Sequence, residues 1–295
     1  MRARAGRGPR PLAATIPPVE DPLTAPLKEA VERWDALGWP RPAVALVSGS
    51  GLAVDLPGRV HGPVGLDCFL PFPLHPVAGH PHAVEVLLPR PDRPVLYQRG
   101  RLHSYQGYSA HEAVFPVRLA ALLGARVLVL TNAAGGLRPD FAAGALLAIR
   151  DQLNLTGLNP LRGQLPPEWG PRFPDMSQAF DPRLLALAAS LAAELGIPLS
   201  EGIYAGVAGP SYETPAEVRM LAALGGDVTG MSTVLEVIAA RQMGMRCLAL
   251  SLVANAAAGV GAAAIDHGQV LAAGRAAAAS LTRLLSALLD HPDLL

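Results

Sequence analysis

Several short stretches of the 295-residue sequence gather residue types that hold anions and read polar ligands. Gly49-Ser50-Gly51 sets two glycines around a hydroxyl directly after an apolar run. Backbone N–H groups can approach an anion closely there, and the serine adds a donor. Arg101, His103 and Tyr105 alternate after another apolar run, so at a strand end they share one face. A guanidinium fork beside an imidazole suits phosphate oxygens. Thr131-Asn132-Ala133-Ala134-Gly135-Gly136-Leu137 is a run of small residues that leaves room for a ligand to touch the main chain. Farther on, Pro215 suits a first helical turn, Thr214 its cap, and Glu217 the return bond of a capping box, which leaves Glu213 free to face a ligand. Met231-Ser232-Thr233 opens another helix, where Ser232 can cap the helix or serve an anion at its positive end. Asn255 ends an apolar strand, and His267 stands at the start of the last helix.

Each cluster also has a plainer explanation. These are a tight turn at Gly49–Gly51, a polar hairpin at Arg101–Tyr105, close packing at Thr131–Leu137, a solvent-facing Glu213 and a capping Ser232. Two familiar phosphate motifs are excluded. The dinucleotide fingerprint needs a third glycine where this chain has Val54, and the nucleotide-hydrolase loop needs a Gly-Lys-Ser/Thr that is missing. The eight histidines show no metal-ligand spacing, so neither a metal nor another cofactor is expected.

The elements that must position these residues alternate in type. Apolar spacing predicts a helix from Leu23 to Leu37, stopped by Gly38 and Pro40. Further helices are expected over His111–Leu123, Pro182–Leu195, Pro215–Leu224, Thr233–Met243 and Asp266–Leu289. Strands are expected over Ala43–Ser48, Ala83–Leu88, Val95–Gln98, Val127–Thr131, Ala145–Arg150, Gly202–Val207 and Cys247–Val253. Several are continuous apolar runs, the pattern of an α/β fold whose mostly parallel or mixed sheet is covered on both faces. In such folds ligands sit where loops leave the carboxyl ends of the strands.

Composition narrows the function classes. Hydrophobic residues make up 51% of the chain and charged ones 16%, so a large core is expected in a single domain over residues 21–295, after an N-terminal arm over residues 1–20 expected to be disordered. The formal net charge is zero and the body carries no basic stripe, which argues against a nucleic-acid partner. No apolar run approaches the roughly 18 residues of a membrane span. The basic start is followed by Ile16-Pro-Pro-Val-Glu-Asp-Pro22 in place of an apolar signal core. Cys68 and Cys247 lack C-x-x-C spacing and are expected to act as small apolar residues in a reducing, cytoplasmic setting.

Taken together, the clusters resemble the trimeric purine nucleoside phosphorylases. The shared segments are Gly49–Leu52, Gly79-His80, Arg101–Tyr105 with Gly107-Tyr108, Thr131–Leu137, Asn159–Leu161, Arg172–Ser177, Gly209–Glu217, Gly230–Val234 and Glu236-Val237. They run in family order over most of the chain. The resemblance implies one domain whose mixed central sheet is partly barrel-like, and phosphorolysis of inosine, guanosine and their 2′-deoxy analogues with inorganic phosphate as co-substrate. It implies a phosphate site of Ser50, His80, Arg101, His103, the Ala133 backbone and Ser232. It implies a ribose site of Tyr105, Met231 and His267 with Tyr204 close by, and a base site of Glu213 and Asn255 with Tyr212 along the purine. Trp169 matches an aromatic residue that closes a neighbouring subunit's ribose site, so a homotrimer is expected. Catalysis falls to Asn255, Glu213 and His103.

A Glu acceptor suits the N1–H of 6-oxopurines, and the related methylthioadenosine phosphorylases carry Asp in place of the Asn. A 6-aminopurine or 5′-methylthio phosphorylase is the alternative, and a catalytically silent purine-binding module the other. Besides a short, Ala- and Gly-rich stretch between Asn255 and His267, three departures stand out. Gln106 replaces a Glu that in the family helps hold the phosphate-site arginine, His75-Pro76-Val77 replaces Ser-Thr-Val, and Ala256 follows Asn255 where vertebrate members have Lys.

Overall fold

The computed structural model describes residues 23–49, 52, 54–76, 81–260 and 267–295, with side chains in the last stretch from residue 277 onward. Residues 1–20, Ser50 and His80 lie outside the described residues, as does the His267 side chain.

Among the described residues, nine strands form one mixed sheet: β1 Val44–Ser48, β2 Arg59–Gly65, β3 Ala83–Arg90, β4 Arg93–Arg99, β5 Val127–Gly136, β6 Leu146–Asn154, β7 Leu199–Gly206, β8 Val228–Gly230 and β9 Arg246–Ala256. Their order is β2-β3-β4-β1-β5-β8-β7-β6-β9, and β5 also pairs with β9, which closes β5, β8, β7, β6 and β9 into a ring. The sheet is thus partly a barrel, with β1, β4, β3 and β2 as an open extension. The described residues also form seven flanking helices: α1 Thr24–Ala36, α2 Ala110–Ala113, α3 Phe115–Leu122, α4 Pro182–Glu194, α5 Pro215–Ala223, α6 Val234–Gln242 and α7 His267–Asp290.

The continuous apolar strands follow from burial on both faces. Ala45, Val47, Leu128 and Leu130 pack into a cluster with Trp34, Phe115 and Val237. The alternate residues Val44, Leu46, Val127 and Val129 pack into a second with Leu184, Leu284 and Leu288. Cys247 lies in the first cluster, where burial pushes its thiol up to about 12. It is an inert apolar residue, whereas Cys68 is exposed, contrary to expectation.

Other differences have local causes. The expected helix over His111–Leu123 breaks into α2 and α3 at Val114, because Pro116 has no N–H to give the carbonyl four residues back. The small-residue run after Val127 continues as strand to Gly136, because β9 pairs with it throughout. β2, a largely exposed edge strand containing Gly62-Pro63, and β8, whose three residues carry no period, leave no strand signal in the sequence.

The C-terminus is tied to the sheet by two arginines. Buried Arg93 donates to the carbonyls of Leu289, His291 and Pro292, and Arg246 donates to that of Leu294. These carbonyls follow the end of α7 or close it, where helical partners run out. Arg93→Ala is expected to cost about 2–4 kcal/mol, since each bond from a charged donor contributes roughly 1.5–3 kcal/mol before overlap. Thermal melting checks this: a drop of several degrees, with activity at room temperature retained, is the expected outcome.

Candidate active site

Five segments converge on one cleft of about 650 Å³, a size suited to a small polar ligand. The loop after β4 supplies Arg101, His103 and Tyr105, and β5 supplies Asn132 to Gly135. The loop before α5 supplies Tyr212 and Glu213, β8 and its following turn supply Thr229 to Ser232, and the end of β9 supplies Ala254 and Asn255. A second groove of about 490 Å³, between β3 and α7, is lined mainly by Leu56, Leu87, Leu88 and Leu289 and gathers no comparable polar cluster.

One end of the cleft is built for an anion. Arg101 is 2% exposed, yet it is held from one side only. Its Nε lies 3.4 Å from Glu236 Oε2 and its Nη1 donates to Ser232 Oγ at 3.3 Å. Nη2 is buried and finds no hydrogen-bond partner among the described residues. A buried guanidinium N–H without a partner is costly unless something else accepts from it. Ser232 stands beside it because Thr233, not Ser232, caps α6: the Thr233 N–H donates to Glu236 Oε2 at 3.1 Å. The Ser232 hydroxyl meets Arg101 Nη1 and the Tyr204 hydroxyl, each 3.3 Å away, and the Thr233 hydroxyl at 3.1 Å. Gly230 permits this approach, since any Cβ there would collide with the Tyr204 hydroxyl.

His103 is oriented by Gln106. Gln106 Oε1 accepts from the His103 backbone N–H at 2.7 Å and lies 3.3 Å from Nδ1, so the ring hydrogen is assigned to Nδ1. Gln106 Nε2 in turn donates to the His75 carbonyl at 2.6 Å, and the His75 ring stacks on Tyr108. Two of the departures from the family pattern are therefore partners of each other. Position 106 serves His103, while Glu236 holds Arg101, which corrects the expectation drawn for Gln106. Tyr105 stacks on His103 with ring centroids 4.7 Å apart. Burial raises the phenols of Tyr105 and Tyr204 above their ordinary range, so both stay protonated at neutral pH.

The other end carries Glu213 and Asn255. Thr229 Oγ1 donates to Glu213 Oε1 at 3.3 Å, and the capping box binds Glu217 to Thr214 at 2.7 Å. Asn255 reaches the cleft through a bulge. Ala134 pairs with Val253 and Gly135 with Asn255, so Ala254 is the extra residue and the alternation of β9 is reset. Tyr212 is 84% exposed at the rim.

Of the expected site residues, Arg101, His103, Tyr105, Ala133, Tyr212, Glu213, Met231, Ser232 and Asn255 line the cleft. Tyr204 does not: it is fully buried behind Ser232 and acts as its support. Trp169 is also placed differently. Its ring is 4% exposed, packed in its own chain with the Arg118 guanidinium 4.8 Å above it. A ring covered by its own chain is not presented to a neighbour, so the reading of Trp169 as a residue donated across an interface is corrected. Sequence reasoning missed Thr229, Asn132 and Glu236 as parts of the site. The Thr233-x-x-Glu236 spacing was the available signal for the last. Among the described residues, no group of three metal-ligating side chains occurs and no helix is long and apolar enough to cross a membrane.

Comparison with known proteins gives consistent results. A model of the phosphorylase superfamily matches residues 44–290. The chain is 43% identical over 249 residues to purine nucleoside phosphorylase 1 of Bacillus subtilis, covering 84% of this chain and 91% of the relative. It is 45% identical over 249 residues to purine nucleoside phosphorylase of Mycobacterium tuberculosis, covering 82% and 87%. The fold is similar to that of isoform 2 of purine nucleoside phosphorylase from Schistosoma mansoni in complex with cytosine and ribose-1-phosphate. The TM-score is 0.82 at 35% identity, over 92% of this chain and 98% of that one.

Proposed function

The chain belongs to the purine nucleoside phosphorylase family of the phosphorylase superfamily, and on that premise we propose how its cleft works. It cleaves the N-glycosidic bond of purine nucleosides by phosphorolysis, releasing the base and a pentose 1-phosphate. Inorganic phosphate is the co-substrate, no cofactor takes part, and the preferred bases are 6-oxopurines. The working assembly is a homotrimer, a reading that rests on the resemblance.

The observation that carries this is the buried, half-satisfied Arg101 at one end of a cleft whose other end holds Glu213 and Asn255. Breaking the glycosidic bond builds positive charge on the ribose and negative charge on the departing purine. Phosphate held by Arg101, His103 and Ser232 stabilises the first charge and then attacks the anomeric carbon. Asn255 hydrogen-bonds near N7 and O6, which favours a protonated leaving group, and Glu213 accepts from N1–H. Donors fixed where charge develops contribute about 3–4 kcal/mol each in comparable sites. Thr229 already donates to one oxygen of Glu213, and that donor keeps the carboxylate set as an acceptor, which suits a protonated N1 and not the bare N1 of adenine.

The test is to incubate the protein with inosine, with and without phosphate, and to follow hypoxanthine. Release is expected only with phosphate, and adenosine and methylthioadenosine are expected to be poor substrates. Phosphate-independent release, or none, sinks the reading; equal rates with adenosine sink its 6-oxopurine part.

A further inference from the structure

We propose that Asn132, oriented by Ser251, is a positioning residue for phosphate: it clamps a strained turn at Thr233 and sets which way the Ser232 hydroxyl points its proton. The inference rests on the phosphate role of Arg101 and Ser232 given above.

Thr233 has φ 69° and ψ −54°, and the Val234 N–H donates to the Ser232 carbonyl at 2.7 Å. That is a γ-turn of the rare positive-φ kind, centred on a β-branched residue, and such a conformation persists only where its surroundings impose it. Here they do. Asn132 Nδ2 donates to Thr233 Oγ1 at 2.9 Å, and Asn132 Oδ1 accepts from Ser251 Oγ at 2.7 Å. Asn132 and Ser251 face each other in the β5–β9 ladder, and Asn132, Ser251 and Thr233 are each 1% exposed or less. Burial shields these bonds from solvent.

The donor count gives the chain a direction. Ser251 has one proton and gives it to Asn132 Oδ1, which fixes the amide so that its NH2 group faces Thr233. Thr233 Oγ1 lies 3.1 Å from Ser232 Oγ, and because it already accepts from Asn132 its proton is assigned to Ser232. Arg101 Nη1 donates to the same oxygen at 3.3 Å. Ser232 Oγ therefore accepts twice and keeps its own proton to donate, either to the Tyr204 hydroxyl 3.3 Å away or to an anion in the cleft beside Arg101. An anion beside Arg101 is the ligand that matches such a donor. With the clamp removed, the turn is free to relax and Ser232 can turn its proton toward Thr233 instead.

Thr233→Val keeps the shape and removes the hydroxyl, Thr233→Ser keeps the hydroxyl, and Thr233→Gly adopts the positive φ without strain but loses the clamp. Phosphate and inosine saturation are measured for each, together with thermal melting. Thr233→Val is expected to raise the phosphate KM by roughly tenfold or more, as for loss of a buried hydrogen-bonded donor, with the inosine KM changing less than threefold. Thr233→Ser is expected to restore the phosphate KM to within threefold of the parent. Thr233→Gly is expected to lose phosphate affinity without losing melting temperature, which a merely structural role does not produce. A phosphate KM unchanged in both Thr233→Val and Thr233→Gly, or an equal rise in both substrates' KM, overturns the proposal. Ser251→Ala, which removes only the first donor of the chain, is the second variant should Thr233→Val not fold, and it is expected to show the same split. Phosphate saturation of the parent protein is measured first, so a failure of the functional reading is seen separately from a failure of this one.

Discussion

Arg101→Ala is expected to raise the phosphate KM at least ~100-fold and to lower the melting temperature at the same time. Two effects combine. The guanidinium is the main positive charge in the anion end of the cleft, and each bond it makes to an anion is worth roughly 1.5–3 kcal/mol. Its removal also takes the counter-charge from Glu236, which is 6% exposed and has the arginine Nε 3.4 Å away. Breaking a buried pair by deleting one partner costs about 3–5 kcal/mol. Arg101→Lys separates the two contributions. An ammonium restores the charge beside Glu236 but not the fork, so stability is expected to recover further than phosphate affinity. Saturation curves for phosphate and melting curves for both variants check this. A folded Arg101→Ala protein with a phosphate KM within threefold of the parent removes Arg101 from the phosphate site.

The second large effect is at Asn255. Asn255→Ala is expected to lower kcat by about 10²–10³, the loss seen when one donor to a developing negative charge is removed. The fold should tolerate it, since the side chain's described bond is to the carbonyl of the next residue, Ala256, at 2.8 Å. Asn255→Asp is expected to do something different. A carboxylate accepts from a 6-amino group and repels a 6-oxo oxygen, so the ratio of kcat/KM for adenosine over inosine should rise. Steady-state rates on both nucleosides decide it. An Asn255→Ala kcat within threefold of the parent, or an unchanged ratio in Asn255→Asp, contradicts the role given to Asn255.

How far these residues were legible beforehand depended on whether their signal is local. Strand–helix alternation, the Thr214–Glu217 capping box and the doubly buried strands are written in periods of two and 3.6 and in short-range hydrogen bonds, and they appear where expected. The Arg101–Tyr105 and Gly230–Val234 clusters could be recognised because residue type and spacing carry the chemistry. β8 could not, because three residues have no period, and its place in the sheet is set by β5 and β7.

Partnership across the fold was beyond the sequence. The family pattern sets a support for Arg101 at position 106, and only the folded chain shows Gln106 gripping His103 and His75, the latter 31 residues away. Trp169 matched a residue that reaches outward, but Arg118 and the surrounding core cover it. The bulge that turns Asn255 into the cleft depends on register against β5, and register is a property of two strands together. By itself the sequence determined most of the elements and the residue types of an anion site and a purine site. Tertiary structure alone decided which donors are buried without a partner and which strained turn is clamped, because burial and hydrogen-bond direction arise from contacts between segments far apart in the chain.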